Sequence, residues 1–501
     1  MQPSMYQRNI LEFVENGQGN GIVRAVAGSG KTSTLVMVSE HISDAIFLAF
    51  NKSIAQALEK RLPSTVQAKT FHGLMYGVLN REYMRRNRGV PPLFKRTDTH
   101  YVADLFTNAY GNAPELATVR AACVKLIGLC KANLMHPDAF ADGELVDLIS
   151  SHGVTWDNDD VTIGHIIDMV RRILRDGLSD WTWFDFDDYL YQVYFADLRI
   201  PTFRWILVDE AQDTNLAQRA LVRRMMRRDS RLLFVGDEAQ AIYGFRGADS
   251  DSMANIARDF MCKDLPLSIS YRCPRAVVRE AQKIVPTIEA SDTAPEGIVR
   301  TVTEWRASDF RVTDLVMCRN TAPLVTLAYR MIGQRIGCKI MGREIGTALV
   351  SLVKKVAGKR GTLDTLPELL DMYRQREVSK AMKNRQEQQA QNVADRVSAI
   401  LAVMDGMTQD EVARGITGLC DAIGSLFANP GDKDHKGNVT LSTVHRAKGL
   451  EAPRAFILDP ALMPSKYAVQ EWQQKQEKNL QYVAITRAME ELVYVDSSSI
   501  E

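Results

Sequence analysis

The chain has 501 residues, of which 46% are hydrophobic and 25% are charged, and its formal net charge is +1. This composition is ordinary for a globular protein, and the bulk charge does not indicate a nucleic-acid binder, so any nucleic-acid surface must be a local patch. The seven cysteines include no C-x-x-C pair, which predicts reduced thiols rather than a zinc or redox site.

The N-terminus lacks the basic and apolar segments of a signal peptide. No apolar run approaches the ~20 residues of a membrane span, so we expect no membrane partner.

Strand-like apolar runs occur in two sets along the chain. The first set lies at residues 22–27, 45–49, 204–208 and 232–235, and the second at 298–302, 315–318, 439–442, 455–458 and 492–495. Helical stretches separate the runs, which predicts parallel sheets with crossover helices. We therefore predict an α/β fold with two parallel-sheet domains, each with a mainly helical insertion. The predicted boundaries are 1–74 and 181–270 for the first domain, 75–180 for its insertion, 271–345 and 437–501 for the second domain, and 346–436 for its insertion.

The segment 374–404 is the clearest long helix that the sequence predicts. Its apolar residues Val393, Val397, Ile400 and Met404 repeat at helical spacing, while polar side chains fill the other positions. Packing of this stripe against the protein is one interpretation, and a basic face that contacts duplex DNA is the other. Residues 430–434 are predicted to form a loop that leads back to the second α/β domain.

A phosphate-binding loop is predicted at residues 25–32, directly after an apolar strand. Gly28 and Gly30 let backbone N–H groups approach phosphates, Lys31 meets the β and γ charges, and the Thr32 hydroxyl binds magnesium. The helix predicted at 32–41 directs the positive end of its dipole at the phosphates. Ala25 replaces the first glycine of the general pattern, and the loop alone does not distinguish a kinase, a GTPase and a helicase.

Three carboxylates follow the apolar strand at 204–208. Asp209 is predicted to hold magnesium through water and Glu210 to polarise the attacking water, while Asp213 is predicted to cap the next helix. A further strand end carries Gln240, whose amide can hydrogen-bond both a γ-phosphate and a water molecule. Together these segments predict hydrolysis of a nucleoside triphosphate.

The order of the motifs resembles that of superfamily 1 DNA helicases of the UvrD/Rep group. The matching segments are Gln7, Ala27-Gly-Ser-Gly-Lys-Thr32, Asp209-Glu-Ala-Gln-Asp213, Gly236-Asp-Glu-Ala-Gln240, Tyr271-Arg272-Cys-Pro274, Thr443-Val-His445-Arg-Ala-Lys-Gly-Leu-Glu451 and Tyr482-Val-Ala-Ile-Thr486-Arg487-Ala488. Phe50-Asn51-Lys52-Ser53-Ile54-Ala55 and Lys69-Thr70-Phe71-His72-Gly73 resemble the F-box DNA helicase branch. The motifs cover nearly the whole chain, which implies a helicase core alone, with two RecA-like domains.

The resemblance assigns nucleotide roles. Gln7 is expected to read adenine, Tyr271 to stack on it and Glu451 to contact the ribose. The expected nucleotide-binding residues are Gln7, Ala27, Gly28, Ser29, Gly30, Lys31, Thr32, Ser33, Tyr271 and Glu451. The expected catalytic residues are Lys31, Glu210, Gln240 and two arginine fingers, Arg272 and Arg487, and the expected metal ligands are Thr32 and Asp209. ATP is the expected substrate and Mg²⁺ the expected cofactor.

Single-stranded nucleic acid is held by aromatic platforms and backbone contacts. The candidates, each in a motif that faces DNA in similar helicases, are Asn51, Lys52, Phe71, His72, Tyr243, Phe245, Arg319, Asn320, Thr443 and His445. Burial in the core is the competing interpretation for each aromatic residue. For His445 a structural or phosphate-contacting role is preferred to that of a catalytic base, because no nucleophile accompanies it. Residues 186–189 resemble a family segment that joins the first insertion to its domain.

We expect an ATP-dependent DNA helicase that moves 3′ to 5′ on single-stranded DNA and unwinds duplex DNA. The alternatives are a translocase that strips proteins from single strands and unwinds poorly, and a nucleotide-switched DNA-binding module; the intact Lys31, Glu210, Arg272 and Arg487 argue against the module. The expected partners are single-stranded DNA, single/double-strand junctions, and single-strand-binding, replication or repair proteins. The expected location is the cytoplasm or nucleoid in a bacterial or viral setting, or the nucleus in a eukaryote.

Overall fold

The computed structural model describes residues 3–49, 51–87, 99–156, 158, 160–242, 251–334, 336–358, 361–383, 387–428 and 438–500. The chain divides into two compact units, the first comprising Met1–Ala25 with Gly30–Leu267 and the second Val26–Ser29 with Ser268–Glu501. Each unit contains a parallel sheet, which confirms the predicted α/β class. In the described ranges, no helix has the length and apolar character needed to cross a membrane.

The first unit contains a six-stranded sheet in the order β3-β2-β4-β5-β1-β6, and all neighbouring strands run parallel. The strands are β1 Asn20–Ala25, β2 Ala45–Ala49, β3 Val66–Thr70, β4 Phe203–Val208, β5 Met226–Gly236 and β6 Cys262–Leu267. Both faces of the sheet are covered: in β2, Ile46 and Leu48 face one core, whereas Ala45, Phe47 and Ala49 face the other. Burial on both faces explains the continuous apolar runs that predicted these strands.

The helices of the first unit are α1 Met5–Asn16, α2 Lys31–Ser39, α3 Lys52–Glu59, α4 Phe71–Arg86, α5 Thr99–Tyr110, α6 Ala117–Ala132, α7 Asp142–Ser151, α8 Ile163–Ser179, α9 Asp188–Phe195, α10 Leu216–Met225 and α11 Ser252–Asp259. Between β3 and β4 the described residues form helices without a strand. This helical region has a core of its own, which includes Leu126, Val170 and Tyr191.

The second unit contains a seven-stranded sheet in the order β12-β11-β13-β10-β14-β15-β9, together with the short parallel pair β7–β8. The strands are β7 Ile269–Ser270, β8 Glu289–Ala290, β9 Ile298–Val302, β10 Leu315–Cys318, β11 Cys338–Met341, β12 Phe427–Ala428, β13 Val439–Thr443, β14 Ala452–Leu458 and β15 Ala488–Val495. The helices are α12 Arg275–Gln282, α13 Thr321–Gly333, α14 Arg343–Ala357, α15 Leu366–Lys383, α16 Glu387–Asp405, α17 Gln409–Ala413, α18 Gly415–Leu426, α19 Val444–Ala447 and α20 Glu471–Ile485.

The prediction of one long helix over residues 374–404 is wrong. Two helices, α15 and α16, cover this segment and pack against each other. Leu370 of α15 and Val397 and Ile400 of α16 enter the same core, and a straight helix of this length would extend about 45 Å and could not bring its two halves into contact. The predicted packing of the apolar stripe on α16 is confirmed for Val397, Ile400 and Met404. The predicted loop at 430–434 lies outside the described residues.

Candidate functional site

The carboxyl ends of three adjacent strands in the first unit carry the charged motifs. The sheet order places β4, β5 and β1 side by side, so the segments that begin at Asp209, Asp237 and Val26 emerge at one edge. This edge is where open parallel sheets bind ligands.

Lys31 lies at the centre of this edge and is paired with Glu210. Its Nζ atom is 3.0 Å from each Glu210 carboxylate oxygen. Burial alone would lower the pKa of Lys31, but the carboxylates of Glu210, Asp237 and Asp209 outweigh it and raise the pKa. The ammonium group therefore remains charged, as a group that meets phosphate must.

Thr32 and Asp209 bring two oxygen ligands together beside this pair. Thr32 Oγ1 lies 3.4 Å from Asp209 Oδ2, and Asp209 Oδ1 accepts a hydrogen bond from Glu210 N at 2.9 Å. Burial, with the charge of Glu210, raises the pKa of Asp209 to about 6. Two neighbouring ligands of an octahedral magnesium ion lie about 3 Å apart, so this oxygen pair fits Mg²⁺.

The described residues contain no group of three or more His, Cys, Asp or Glu side chains that could hold a metal ion. A pair of oxygen ligands agrees with magnesium chemistry in nucleotide sites, where phosphates and water supply the other ligands.

Gln212, to which the motif comparison assigned no role, connects two strand ends. Its Nε2 donates to Glu210 Oε2, and its Oε1 accepts from Asp237 N at 3.0 Å. Gln240 is buried and donates through Nε2 to Asp237 Oδ2 at 2.6 Å. Burial raises the pKa of Asp237 to about 6, against the opposing charge of Lys31. The amides of Gln212 and Gln240 thus fix the carboxylates that surround Lys31.

The backbone at Glu210 adopts a left-handed conformation, with φ 50° and ψ 44°. Asp213 does not cap the following helix, contrary to prediction. The cap of α10 is Asn215, whose side chain accepts from Gln218 N at 2.9 Å, because Asp213 ends a short 3₁₀ turn two residues earlier.

Gln7 lies in the first turn of α1 and contacts α2. Its Oε1 accepts from Ser4 N at 2.9 Å, and its Nε2 donates to Thr34 Oγ1 at 3.1 Å. Each amide atom has one further hydrogen-bonding position, which adenine could use. Ser33 is exposed in the first turn of α2.

The glycines of the phosphate loop adopt left-handed backbone conformations, with φ +71° at Gly28 and +80° at Gly30. The Ser29 hydroxyl is buried and has no hydrogen-bond partner in the part of the chain that the structure describes. A buried polar atom of this kind needs a ligand or water to satisfy it, which fits a phosphate-binding role.

Residues 26–29 belong to the second unit by their contacts. Ala27 N donates to Tyr482 Oη and Tyr271 N donates to Gly28 O, each at 2.9 Å. A Cβ atom at Gly28 would lie 2.6 Å from Arg272 Cβ, so a side chain is excluded by close approach as well as by φ.

The second unit contains four residues for which a role at the nucleotide is expected. They are Tyr271, Arg272, Glu451 and Arg487. Arg272 Nε is 2.7 Å from Glu451 Oε2, and Arg272 Nη1 donates to Thr486 O at 3.4 Å. Thr486 immediately precedes Arg487, so this contact brings both arginines into one cluster with Glu451. Tyr271, adjacent to Arg272, is exposed.

Arg487 is only 1% exposed. Its guanidinium donates to Val483 O at 2.8 Å, to Leu450 O at 3.1 Å and to Thr486 Oγ1 at 3.0 Å. These bonds fix the side chain beside the amino ends of β14 and β15, where Leu450 and Arg487 lie.

The DNA candidates of the first unit follow β2 and β3. Asn51 and Lys52 are exposed, and Asn51 Oδ1 caps α3 by accepting from Ile54 N at 2.9 Å. Phe71 is 5% exposed and packs in the core, which agrees with the competing interpretation of its ring, and its DNA role stays a prediction. Tyr243 and Phe245 lie outside the described residues.

An aromatic pair that the sequence did not indicate lies beside Phe71. His72 stacks on Phe186 with ring centroids 3.8 Å apart and planes 13° from parallel, and Phe186 is 47% exposed. Burial lowers the pKa of His72 to about 4 against the opposing charge of Asp185, so the ring is neutral at pH 7. The pair therefore offers an apolar stacking surface rather than a cation.

The DNA candidates of the second unit follow the neighbouring strands β10 and β13. Arg319 is buried and makes hydrogen bonds of 2.8–3.1 Å to both Glu477 oxygens, and its contact with DNA stays a prediction. Asn320, Thr443 and His445 are partly exposed at the same edge.

Comparison with known proteins places both halves of the chain. The model of the UvrD/REP helicase N-terminal domain matches residues 6–261, just over half of the chain, and that of the UvrD-like helicase C-terminal domain matches residues 352–499. The chain is 22% identical to the ATP-dependent DNA helicase PcrA of Bacillus subtilis strain 168, over 96% of this chain and 81% of the relative. It is 23% identical to the ATP-dependent DNA helicase PcrA of Staphylococcus aureus strain Mu50, over 97% and 82%. With the DNA helicase II of Haemophilus influenzae it shares 24% identity over 53% of this chain and 38% of the relative.

Proposed function

Because the chain belongs to the UvrD/Rep family of ATP-dependent DNA helicases, we propose that it translocates 3′ to 5′ on single-stranded DNA and unwinds the duplex ahead of it. The observation that carries the proposal is the Lys31–Glu210 pair, with Thr32 and Asp209 beside it, at the carboxyl edge of the first sheet. Membership of the F-box branch stays a prediction.

ATP hydrolysis follows from an exchange of partners at this edge. Lys31 gives up one Glu210 oxygen and binds a γ-phosphate oxygen of ATP, since the two anions compete for the same ammonium group. Glu210, still held by Gln212, then accepts a proton from the attacking water. Thr32 and Asp209 would hold Mg²⁺, which would neutralise negative charge on the ATP phosphates when bound. Arg272 and Arg487 supply further positive charge for the transition state.

Contacts to single-stranded DNA come from two edges of the fold. In the first unit, the His72–Phe186 pair stacks on a base, and Lys52 and Asn51 contact the backbone. In the second unit, Asn320, Thr443 and His445 contact the strand. We further propose single/double-strand junctions as substrates, single-strand-binding, replication or repair proteins as partners, and the cytoplasm or nucleoid as location, since the relatives named above are bacterial.

The test compares duplexes that carry a 3′ or a 5′ single-stranded tail. We expect unwinding of the 3′-tailed duplex only, and only with Mg²⁺ and ATP. Preferential unwinding of the 5′-tailed duplex would contradict the proposed polarity.

A streptavidin-displacement assay on end-biotinylated oligonucleotides measures translocation separately. Displacement without unwinding would indicate the protein-stripping translocase instead. An ATPase rate that DNA does not stimulate would indicate the nucleotide-switched module.

A further inference from the structure

A closed ring of interactions in the second unit joins the carboxyl end of β10 to α16 and α20. Arg319 bonds both oxygens of Glu477, and Glu477 Oε2 accepts from Ser465 N at 2.9 Å. Ser465 Oγ donates to Gln391 Oε1, and Gln391 Nε2 donates to Asn320 Oδ1 at 3.0 Å. The peptide bond between Arg319 and Asn320 closes this set, which we call the Gln391 ring.

The donors and acceptors of the Gln391 ring run in one direction. Ser465 Oγ accepts from Tyr467 N at 3.2 Å, so its own proton is available to donate to Gln391 Oε1. This leaves the Gln391 NH₂ group to donate to Asn320 Oδ1. The Asn320 NH₂ group then points away from Gln391 and makes no hydrogen bond to any residue that the structure describes.

The backbone on both sides of Asn320 is also held. Thr321 N and Ala322 N donate to the Asp395 carboxylate at 2.9 and 3.0 Å, so an acid from another helix caps the N-terminus of α13. Gln391 and Asp395 are four residues apart and lie on the same face of α16. On the other side, the buried pair of Arg319 with Glu477 fixes the preceding residue. The Asn320 donors therefore have one orientation before any ligand arrives.

We propose that Gln391 is a positioning residue for single-stranded DNA, because it orients the Asn320 amide with its N–H donors towards a phosphodiester oxygen of the bound strand. The inference rests on the proposed DNA role of Asn320. A phosphodiester oxygen only accepts hydrogen bonds, so this orientation is attractive, whereas the reversed amide would set its carbonyl oxygen against an anion. Because Gln391 lies on α16, the helical insertion of the second domain would affect the affinity for DNA.

Gln391→Glu tests the orientation directly. The new carboxylate still accepts from Ser465 Oγ but cannot donate to Asn320, so the Asn320 amide reverses to donate to it. We expect the DNA concentration for half-maximal ATPase stimulation to rise about tenfold. We expect the DNA-free ATPase rate and the KM for ATP to stay at the parent values, and the thermal midpoint to fall because the new carboxylate is buried.

Gln389→Glu is the matched control, because Gln389 is exposed on the same helix and the charge change is the same. We expect a change of less than about twofold there. An equal loss of DNA affinity in the two variants would overturn the proposal in favour of general charge repulsion.

A double-mutant cycle identifies the route of the effect. In an Asn320→Ala background, Gln391→Glu should cause no further loss of DNA affinity, since no Asn320 amide is left to reverse. A second tenfold loss would overturn the proposal.

If Gln391→Glu does not fold, Gln391→Leu is the second variant. It removes the hydrogen bonds of the Gln391 ring at similar volume, so the Asn320 amide rotates freely and DNA binding should weaken about threefold. Parent-like DNA affinity in Gln391→Leu would overturn the proposal.

Three results separate this inference from the proposed function. A parent protein whose ATPase ignores DNA overturns the proposed function. A stimulated parent with a parent-like Asn320→Ala variant overturns the DNA role of Asn320, and the inference with it. A weakened Asn320→Ala variant with a parent-like Gln391→Glu variant overturns the inference alone.

Discussion

Two buried lysines of the first unit are each surrounded by carboxylates, yet the two clusters differ in what they leave open. Lys31 bonds Glu210, and its side chain is 12% exposed, whereas Lys131 lies 2.6 Å from Asp185 and 2.7 Å from Asp188 and is 5% exposed. In both cases burial opposes the charge and the carboxylates outweigh it, so the pKa of each lysine is raised.

The two clusters differ in how many of their hydrogen-bonding positions the protein itself already occupies. Asp185 N donates to Asp188 Oδ2 at 3.0 Å and Asp188 N donates to Asp185 Oδ1 at 2.8 Å, so the aspartates bind each other's backbone as well as Lys131. That cluster joins α6 to the start of α9, and two carboxylates share the one ammonium group. Lys31 bonds one carboxylate at a sheet edge, and the proposed mechanism exchanges that partner for phosphate. Similar charges thus serve exchange at Lys31 and rigidity at Lys131.

We call the Lys31–Glu210 pair the open cluster, and Lys131 with Asp185 and Asp188 the closed cluster. The largest expected effect is on ATP turnover at the open cluster. Glu210→Gln should lower the steady-state ATPase rate about 10²–10⁴-fold, because an amide cannot accept the proton of water. ATP binding and the thermal midpoint should change little, since the amide still accepts from Lys31 and Gln212. A variant that hydrolyses ATP at the parent rate would remove Glu210 from the role of base.

The closed cluster should show the opposite response. Lys131→Met leaves two aspartates buried without a cation and should lower the free energy of unfolding by about 3–5 kcal/mol, measured by denaturant titration. The ATPase rate per folded molecule should stay near that of the parent. Lys125→Met on the same helix replaces an exposed lysine and should cost about 0.5 kcal/mol or less. Equal destabilisation by both variants would show that the cluster contributes nothing specific.

The closed cluster should also make stability depend on pH. Burial, with the charge of Asp185 and against that of Lys131, raises the pKa of Asp188 to about 7. The folded protein then holds a proton that the unfolded chain releases above its ordinary pKa of about 4. The free energy of unfolding should therefore fall as pH rises from about 4 to about 7, by at most ~1.4 kcal/mol per pH unit from this group. Asp188→Asn should flatten that slope, and an unchanged slope would contradict the shift.

The smallest expected effect concerns His72, which lies near the closed cluster. Because its ring is neutral at pH 7, His72→Phe should leave the salt dependence of DNA affinity unchanged while it preserves the stack on Phe186. Lys52→Ala is the comparison, and should reduce the slope of log affinity against log salt by about 1. A reduced slope in His72→Phe would mean that DNA binding protonates the ring.

Sequence alone predicted the central strands well. The bounds of β2 and β10 agree with the apolar runs, because strands buried on both faces are apolar throughout. The bounds of β9 also agree, although β9 is an edge strand whose residues are exposed or half-buried. The edge strands β3 and β6 gave no such run, since exposed positions there carry Gln67, Lys69 and Asp264. The hairpin of α15 and α16 depends on a shared core, which periodicity within one segment does not reveal.

Within the site, the residues fixed by local backbone were predictable and those defined by distant partners were not. Lys31 and Glu210 follow strand ends, so their placement depends on short segments. Arg319 also follows a strand end, but Glu477, 158 residues away, buries it. Phe186 and Gln391 acquire their surroundings from residues 114 and 71 positions away, respectively. No spacing rule along the chain connects such pairs.

The left-handed backbone at Glu210 is a local strain that the ion pair with Lys31 outweighs. A non-glycine residue in this conformation costs of order 1 kcal/mol, which glycine would not incur. Glycine would also remove the carboxylate bonded to the largely buried Lys31, and losing one partner of such a pair costs more than the strain. Directed evolution of this chain for heat resistance alone should therefore not enrich glycine at position 210, so that selection for stability and selection for unwinding act in the same direction at this codon.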